Sequence, residues 1–433
     1  MIYNSKYESM PREGLMQLQI ERLQSTLNRV YRNVAFYKNV FDENRIDIEK
    51  IRSIADIRRL PFTTKEDLRK SYPYNMFAVP LRDIVRIHST AGRTGRPIAI
   101  GYTRNDILNW SEQVARVLAA AGVTENDFVQ IAFDYNMFTG GLGLHYGAEK
   151  LGASVIPSSQ SGDVQRDIHV MKDYKTTVLL STPGYALRVA GNLKEMGIHP
   201  EELNIKMGLF GAEPWGDATR SRIEESLRLS AYNIYGVNEM MGPGVSGECG
   251  EKNGLHINED HYIVEIVDPA SGEPLPTGAK GELVISTITR EGFPLIRYRT
   301  GDVSSIMEGV CPCGRTTLRM ERVTARTDDM FVVNGVSLFP AQINDILKKA
   351  TGGAEPRFQI VIDNLAGEDM MEVRIEVVEN MFNDEIKKVL ALKNGIAGNI
   401  ERELGAKTTV TLVEQDSLAA AAGGRTKTVV DNR

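Results

Sequence analysis

The sequence predicts an α/β protein. A large N-terminal domain would hold parallel and mixed sheets with helices and an added antiparallel part, followed by a small α+β C-terminal domain. Three observations lead there. Short apolar strands that end in small or polar loops alternate with helical stretches through the middle of the chain, the texture of a parallel sheet. Two later runs, HYIVEIVD and GELVISTI, are bounded by Pro and Gly turns and read as antiparallel strands. The final stretch has an order of its own, strand, helix, two strands, helix and strand, which can close a separate core.

Composition sets the limits. With 433 residues, 42% of them hydrophobic and 25% charged, the chain is long enough for two or three domains, and it is neither disordered nor fibrous. The formal charge of -6 lies in no long single-sign block, so no nucleic-acid partner is expected, and an acidic substrate would need local donors. The 3 cysteines cannot build a full disulfide framework, and the opening MIYNSKYESMPREG is polar. Both suggest a reducing, cytoplasmic setting. No run approaches the roughly 20 apolar residues of a spanning helix, so no membrane partner is expected. A homodimer is compatible with all of this.

The elements follow in order. Leu15, Leu18, Leu23, Leu27, Val30 and Val34 recur at helical steps among polar residues. Thr63 or Thr64 stands ahead of Glu66 and Asp67 as a helix cap. From about Asp83 strands take over. DFVQIAF is a strand, GLGLHYGAEKLG a helix closed by Gly152, and ASVIP the next strand, while KTTVLLST, MGLFG and YNIYG repeat the strand-then-loop pattern. Ligands on such a sheet bind beyond the carboxyl ends of its strands. In the last part MFVVNG, RFQIVID, MMEVRIEVVE and KTTVTLV are strands. PAQINDILKKA, with Pro340 near its start, and NDEIKKVLALKNGIAGNIEREL are helices. The polar run RTDD divides the chain into domains 1–327 and 328–433.

The stretch 87–103 puts two strand-like ends around a loop of hydroxyls and glycines. Gly92 and Gly95 allow backbone N–H groups to converge, Ser89, Thr90 and Thr94 add donors, and Arg93 and Arg96 add fixed charge. That combination suits a polyphosphate; a solvated surface hairpin is the alternative. The glycine spacing is too short for a Walker A loop. The glycines of TGGLGLHYG make a weak dinucleotide fingerprint and read better as close approach to a flat ligand or a neighbouring helix.

All three cysteines join one candidate metal set. Cys249 and His256 in ECGEKNGLH, with Cys311 and Cys313 in CPCG, supply three thiolates and an imidazole, the donors of a closed, structural Zn²⁺ site. Three unrelated buried thiols and a surface histidine are the alternative.

Several motifs together resemble the phenylacetate–CoA ligase family of acyl-adenylate-forming (ANL) enzymes. They are TAGRTGRP at 90–97, FTGGLG at 138–143, GAEPW at 211–215 and IYGVNEMMGPGV at 234–245. RYRTGD at 297–302, CPCGRT at 311–316 and RTDDM at 326–330 complete the series. The resemblance implies a large adenylate-forming domain and a small mobile one. It implies a two-step ligase: ATP and a carboxylic acid give an acyl adenylate and pyrophosphate, and coenzyme A then displaces AMP. By likeness, Gly211, Ala212, Glu213 and Pro214 line the adenine and ribose, with Asn233, Tyr235 and Gly236 on the other side. Glu239 is the magnesium-linked glutamate, preceded by Asn238 where Ser or Thr is usual. Asp302 binds the ribose hydroxyls, and Arg326 approaches ribose or phosphate. Asp328 is the hinge. Tyr135, Phe138, Gly140 and Gly141 form the acid pocket, with phenylacetate or a close aryl-acetic acid as the leading substrate.

Two departures bear on catalysis. Arg96 replaces the phosphate-loop lysine, and Arg93 the first Thr of TTG. The terminal GGRTKTVVDNR places Arg425 where the adenylation lysine is expected, with Lys427 two residues on. Two other readings therefore stay open: AMP transfer to a cofactor hydroxyl without coenzyme A, or a catalytically impaired nucleotide-binding regulator.

Overall fold

The computed structural model describes residues 1–433 apart from 91–96, 138, 160–162, 324, 328–330, 334–335, 352–356, 366–367, 378–385, 415–416, 419, 422–424, 427 and 433. The chain divides into two compact units, Met1–Thr324 and Ala325–Arg433.

In the first unit the predicted leading helix runs Arg12–Asn33, and Leu15, Ile20, Leu23, Leu27 and Val30 form its buried stripe. Thr64 caps the helix Lys65–Lys70: its hydroxyl accepts from the Asp67 N–H, and the Asp67 carboxylate accepts from the Thr64 N–H. Thr63 instead turns inward and donates to the Ile296 carbonyl at 2.7 Å.

The main sheet has nine strands. From one edge they are Ser154–Ile156, Phe128–Ile131, Val178–Ser181, Met207–Phe210, Ser230–Tyr235, Ser246–Glu248, Leu255–Ile257, Arg319–Met320 and Ile306–Met307. The first five are parallel and the remainder antiparallel. The parallel part reverses its winding between Phe128–Ile131 and Val178–Ser181, which opens a crevice at the strands' carboxyl ends. Tyr262–Val267, Gly281–Thr287 and Tyr298–Ser304 pair antiparallel in a second sheet, as expected of the Pro/Gly-bounded runs. Arg86–Ser89 and Ala99–Tyr102 form an antiparallel hairpin around 91–96.

Helix Gly140–Leu151 packs on helix Arg104–Ala121, and its glycines are the reason it can. A Cβ on Gly143 or Gly147 would fall 2.2 Å from Trp110 or Val114 respectively. The glycine pattern thus records the approach of a neighbouring helix. Gly152 closes the helix in the left-handed conformation, as the sequence predicts.

The second unit has a four-stranded sheet in the order Thr409–Glu414, Glu368–Val377, Phe358–Leu365, Val429–Asp431. Its central pair is antiparallel and its outer pairs parallel. Ile343, Ile360, Val373, Ile396 and Ile400 centre its own core, with helices Pro340–Ala350 and Ile386–Leu404. Two details differ from the sequence reading. Phe331–Val333 pairs with Val336–Leu338 in a separate hairpin, and the last strand is Val429–Asp431 rather than the one at 409–414. A three-residue strand carries too little alternation to be read; its parallel partner creates it. Among the described residues no helix is long and apolar enough to cross a membrane.

Candidate active site

A cavity of about 420 Å³ lies at the carboxyl ends of the parallel strands. Phe133 and Asp134 reach it from the end of Phe128–Ile131, Thr182 from Val178–Ser181, Gly211 and Ala212 from Met207–Phe210, and Tyr235 and Gly236 from Ser230–Tyr235. Thr139, Gly140 and Leu144 face them from the start of a helix, and Asn238, Gly242 and Pro243 from the loop after Gly236.

Close backbone approach shapes this wall. A Cβ on Gly211 would lie 2.5 Å from the Ile234 carbonyl oxygen, and one on Gly236 would collide with the Gly242 carbonyl. Ala212 and Met241 hold positive φ angles of 64° and 66°, strained for residues with side chains and gathered where the loops meet the cavity. Glu213 and Pro214, expected beside the nucleotide, are exposed and stand outside the described lining. Asn233 is buried. Its N–H donates to Glu248 Oε2 at 2.7 Å, and Arg220 grips both oxygens of that carboxylate at 2.7 and 2.8 Å.

The fold joins predicted residues that are distant in sequence. The hydroxyl of the cavity-lining Tyr235 donates to Asp302 Oδ2 at 2.7 Å. Thr139, which the sequence reading did not single out, donates its hydroxyl to Asn238 Oδ1, and the Asn238 amide N–H groups have no partner among the described residues. Glu239 sits on the short turn Asn238–Met240 and is only 7% exposed, yet its carboxylate makes no hydrogen bond or ion pair with a described residue. Its carbonyl accepts from Arg290, and the next carbonyl, of Met240, accepts from the Tyr262 hydroxyl at 2.9 Å. Nothing in the sequence pattern pointed to Arg290 or Tyr262.

At the phosphate-loop hairpin, the Ser89 N–H donates to the Met137 carbonyl at 2.9 Å, and Thr90 Oγ1 accepts from the Ile98 N–H at 3.0 Å. Gly92, Arg93, Thr94, Gly95 and Arg96 lie outside the described residues, as do Phe138, Asp328 and Lys427. Arg425 is described by its backbone alone, in the strand Arg425–Thr426, and Arg326 lies in the strand Ala325–Arg326 at the start of the second unit. Of the expected acid pocket, Gly140 lines the cavity and Gly141 abuts the Asp134 carbonyl. The Tyr135 hydroxyl is 3.3 Å from His145 Nδ1, whose other nitrogen meets Glu149 Oε1 at 3.1 Å, and burial raises the Tyr135 pKa.

Away from the cavity, Cys249, His256, Cys311 and Cys313 converge with their ligand atoms all within 4.8 Å of one another. The seven-residue spacing of the first two is a hairpin spacing, with Cys249 just after Ser246–Glu248 and His256 within Leu255–Ile257. Cys249 Sγ lies 3.7 Å from Cys311 Sγ, and Cys313 Sγ 3.3 Å from His256 Nε2. Metal–sulfur bonds of about 2.3 Å in a tetrahedron give edges of roughly 3.8 Å. Burial, with Arg315 and Arg319 adding to it, lowers the His256 pKa to about 4, so the ring is neutral and able to ligate. Its Nδ1 meets Thr317 Oγ1 at 3.1 Å. Burial raises Cys249 to about 12 in the absence of an ion. At Cys313 burial also opposes ionisation, but the Arg315 N–H and guanidinium prevail and lower its pKa.

Comparison with known proteins gives the family. The AMP-binding enzyme family matches residues 17–289, and the AMP-binding enzyme C-terminal domain matches residues 335–433. A phenylacetate–coenzyme A ligase of Thermus thermophilus is 41% identical over 446 residues, covering 100% of each chain. The chain belongs to the phenylacetate–CoA ligase family. A second relative in that family, from Escherichia coli, is 39% identical over 98% of this chain and 97% of its own. Among solved structures, a 2-hydroxyisobutyryl-CoA ligase with a bound acyl adenylate and CoA, in an open conformation, is 25% identical. Its TM-score is 0.84, over 100% of this chain and 94% of that one. The same ligase in its postadenylation state is 26% identical with a TM-score of 0.82 over 100% and 92%. The two family matches and the solved CoA-ligase structures thus agree with the α/β fold of a large first domain and a smaller C-terminal one.

Proposed function

We propose that the protein is an AMP-forming acid–thiol ligase that activates an aryl-acetic acid, phenylacetate or a close relative, with ATP and passes the acyl group to coenzyme A. The observation that carries this reading is the crevice at the strand ends, where Tyr235, hydrogen-bonded to Asp302, and Asn238, next in sequence to Glu239, line one cavity. A free carboxylate is a poor acyl donor; joined to AMP it has a good leaving group. The protein's task in the first step is to align the acid oxygen with the α-phosphorus and to meet developing charge with fixed donors. In this assignment Gly211, Ala212 and Gly236 flank the base, Asp302 accepts from the ribose hydroxyls, and the free Asn238 amide donates to an anionic oxygen. Phe133, Leu144 and Pro243 provide apolar wall for a ring.

The buried Glu239 carboxylate, which has no cation partner among the described residues, has the hard oxygen that Mg²⁺ on a nucleotide requires. When bound, that ion neutralises phosphate charge. Arg93 and Arg96 would add charge at the phosphate loop. The small domain, 328–433 with Asp328 as hinge, would bring Arg425 or Lys427 to adenylation and withdraw it for thioester formation. The thiol–imidazole cluster would hold one structural Zn²⁺, and its free thiols fit a cytoplasmic location.

A pyrophosphate-release screen over aryl and alkyl acids, with and without coenzyme A, tests the assignment. Phenylacetate or a near analogue should give the highest rate, and AMP release should require the thiol; no release with any acid would sink the proposal. If Arg425→Ala abolishes release while Lys427→Ala leaves it intact, Arg425 is the adenylation cation, and the reverse result gives the role to Lys427. Metal analysis after dialysis should find one zinc per chain, and a value near zero in metal-replete protein removes the zinc assignment.

A further inference from the structure

Arg290 lies between the two elements that the proposed reaction uses to handle phosphate. Its side chain is 1% exposed. One terminal nitrogen donates to the Glu239 carbonyl, and the guanidinium sits 4.8 Å from the Tyr102 ring centre and 5.1 Å from that of Phe293. Tyr102 ends the hairpin strand Ala99–Tyr102, the return strand of the phosphate loop. Its ring stacks on Trp110 at 5.3 Å, and the Trp110 N–H donates at 2.8 Å to the carbonyl of Pro243, which lines the cavity. One buried cation thus touches the Glu239 turn and the root of the phosphate hairpin together.

The energetics separate this residue from ordinary core. Among the described residues, Nε and Nη2 of Arg290 are buried without a hydrogen-bond partner, and the guanidinium forms no ion pair with a carboxylate. The nearby Asp106 already accepts from the N–H groups of Thr103, Glu291 and Gly292. A lone buried guanidinium is a poor way to stabilise a core; an apolar residue of similar length would usually serve as well or better. A positive charge fixed beneath two phosphate-handling elements is balanced once an anionic nucleotide arrives.

We propose that Arg290 is a positioning residue for the magnesium nucleotide: it holds the Glu239 turn and the phosphate hairpin on one floor and supplies a buried counter-charge beneath them. This rests on the reading of Glu239 as a magnesium ligand. The test uses the full chain and measures pyrophosphate release against Mg²⁺ at fixed ATP, with the acid KM and the thermal midpoint alongside. Losing a hydrogen bond to a charged group is worth about ten-fold or more, so Arg290→Met should raise half-saturating Mg²⁺ by at least about ten-fold. The acid KM should hold, and the thermal midpoint should stay level or rise. Arg290→Lys, which keeps charge and one donor, should recover part of the shift. A lower midpoint with a wild-type Mg²⁺ response in Arg290→Met would make the residue packing only and overturn the proposal. Should that variant fail to fold, a wild-type Mg²⁺ response in Arg290→Lys overturns it equally, and a shifted one supports it. Glu239→Gln separates the two readings. If it leaves the Mg²⁺ response unchanged, the Glu239 assignment fails; if it shifts the response while Arg290→Met does not, only the role of Arg290 fails.

Discussion

Two buried arginines in the first unit do opposite things. Arg116, on helix Arg104–Ala121, is 3% exposed and paired at both ends of its fork, to Asp260 at 2.7 Å and Glu112 at 2.6 Å. Around it Arg22 reaches the same Asp260, Arg12 reaches Glu259 at 2.6 Å, and Tyr7 lies against the guanidinium. These contacts fasten the leading helix to the sheet. Arg290 is as deeply buried but has no carboxylate partner among the described residues, and it donates to the backbone carbonyl of Glu239, next to the cavity-lining Asn238. A charge satisfied by its neighbours secures structure, whereas one left unbalanced is available to a ligand.

The contrast can be broken in three ways, taken from the largest expected effect. Arg116→Met leaves Asp260 and Glu112 short of their cation and should cost about 3–5 kcal/mol in urea unfolding. The Mg²⁺ response of the folded variant should match wild type; a shift like that expected of Arg290→Met would erase the distinction. The second test uses His261, which borders the same cluster, with Nε2 3.2 Å from Asp260 and Nδ1 2.7 Å from Thr289. Burial lowers its pKa from 6.5 to about 4, against the pull of Asp260 and with Arg116 and Arg22 adding to the shift. Below 6.5 the unfolded chain takes up a proton that the folded one refuses. Stability should therefore fall as pH drops from 6.5 towards 4, by about 3 kcal/mol from this residue. Urea midpoints across that window check it, and His261→Asn should flatten the slope. The smallest effect belongs to the cavity side: Tyr235→Phe removes the bond to Asp302 and should raise the ATP KM about ten-fold, equal to roughly 1.4 kcal/mol, without moving the thermal midpoint.

Much of the site was legible because its parts are contiguous. GAEPW, IYGVNEMMGPGV and RYRTGD each place a strand end and the residues beyond it, and the structure sets Gly211, Ala212, Tyr235, Gly236 and Asn238 on one cavity as those motifs imply. The cysteine–histidine set was legible for another reason: uncommon donor types stand out even when 62 residues separate Cys249 from Cys311. Glu213 and Pro214 are exposed and outside the cavity lining, just after the left-handed Ala212, and a motif does not reveal which way the chain turns after a strand. Thr139 was hidden within FTGGLG, where the glycines drew the attention. Arg290 gave no signal at all, since an arginine in a loop before a proline reads as solvated.

By itself the sequence determined the alternation of strands and helices, the two cores and the family, because periodicity, caps and contiguous motifs are local properties of the chain. Only the tertiary structure decided which polar groups face one another across those elements. It brought Thr139 to Asn238, Tyr235 to Asp302, and Arg290 to Glu239, pairs separated by 99, 67 and 51 residues. Whether a buried charge is balanced depends on how distant segments cross, and that crossing is set by the packing of the whole core.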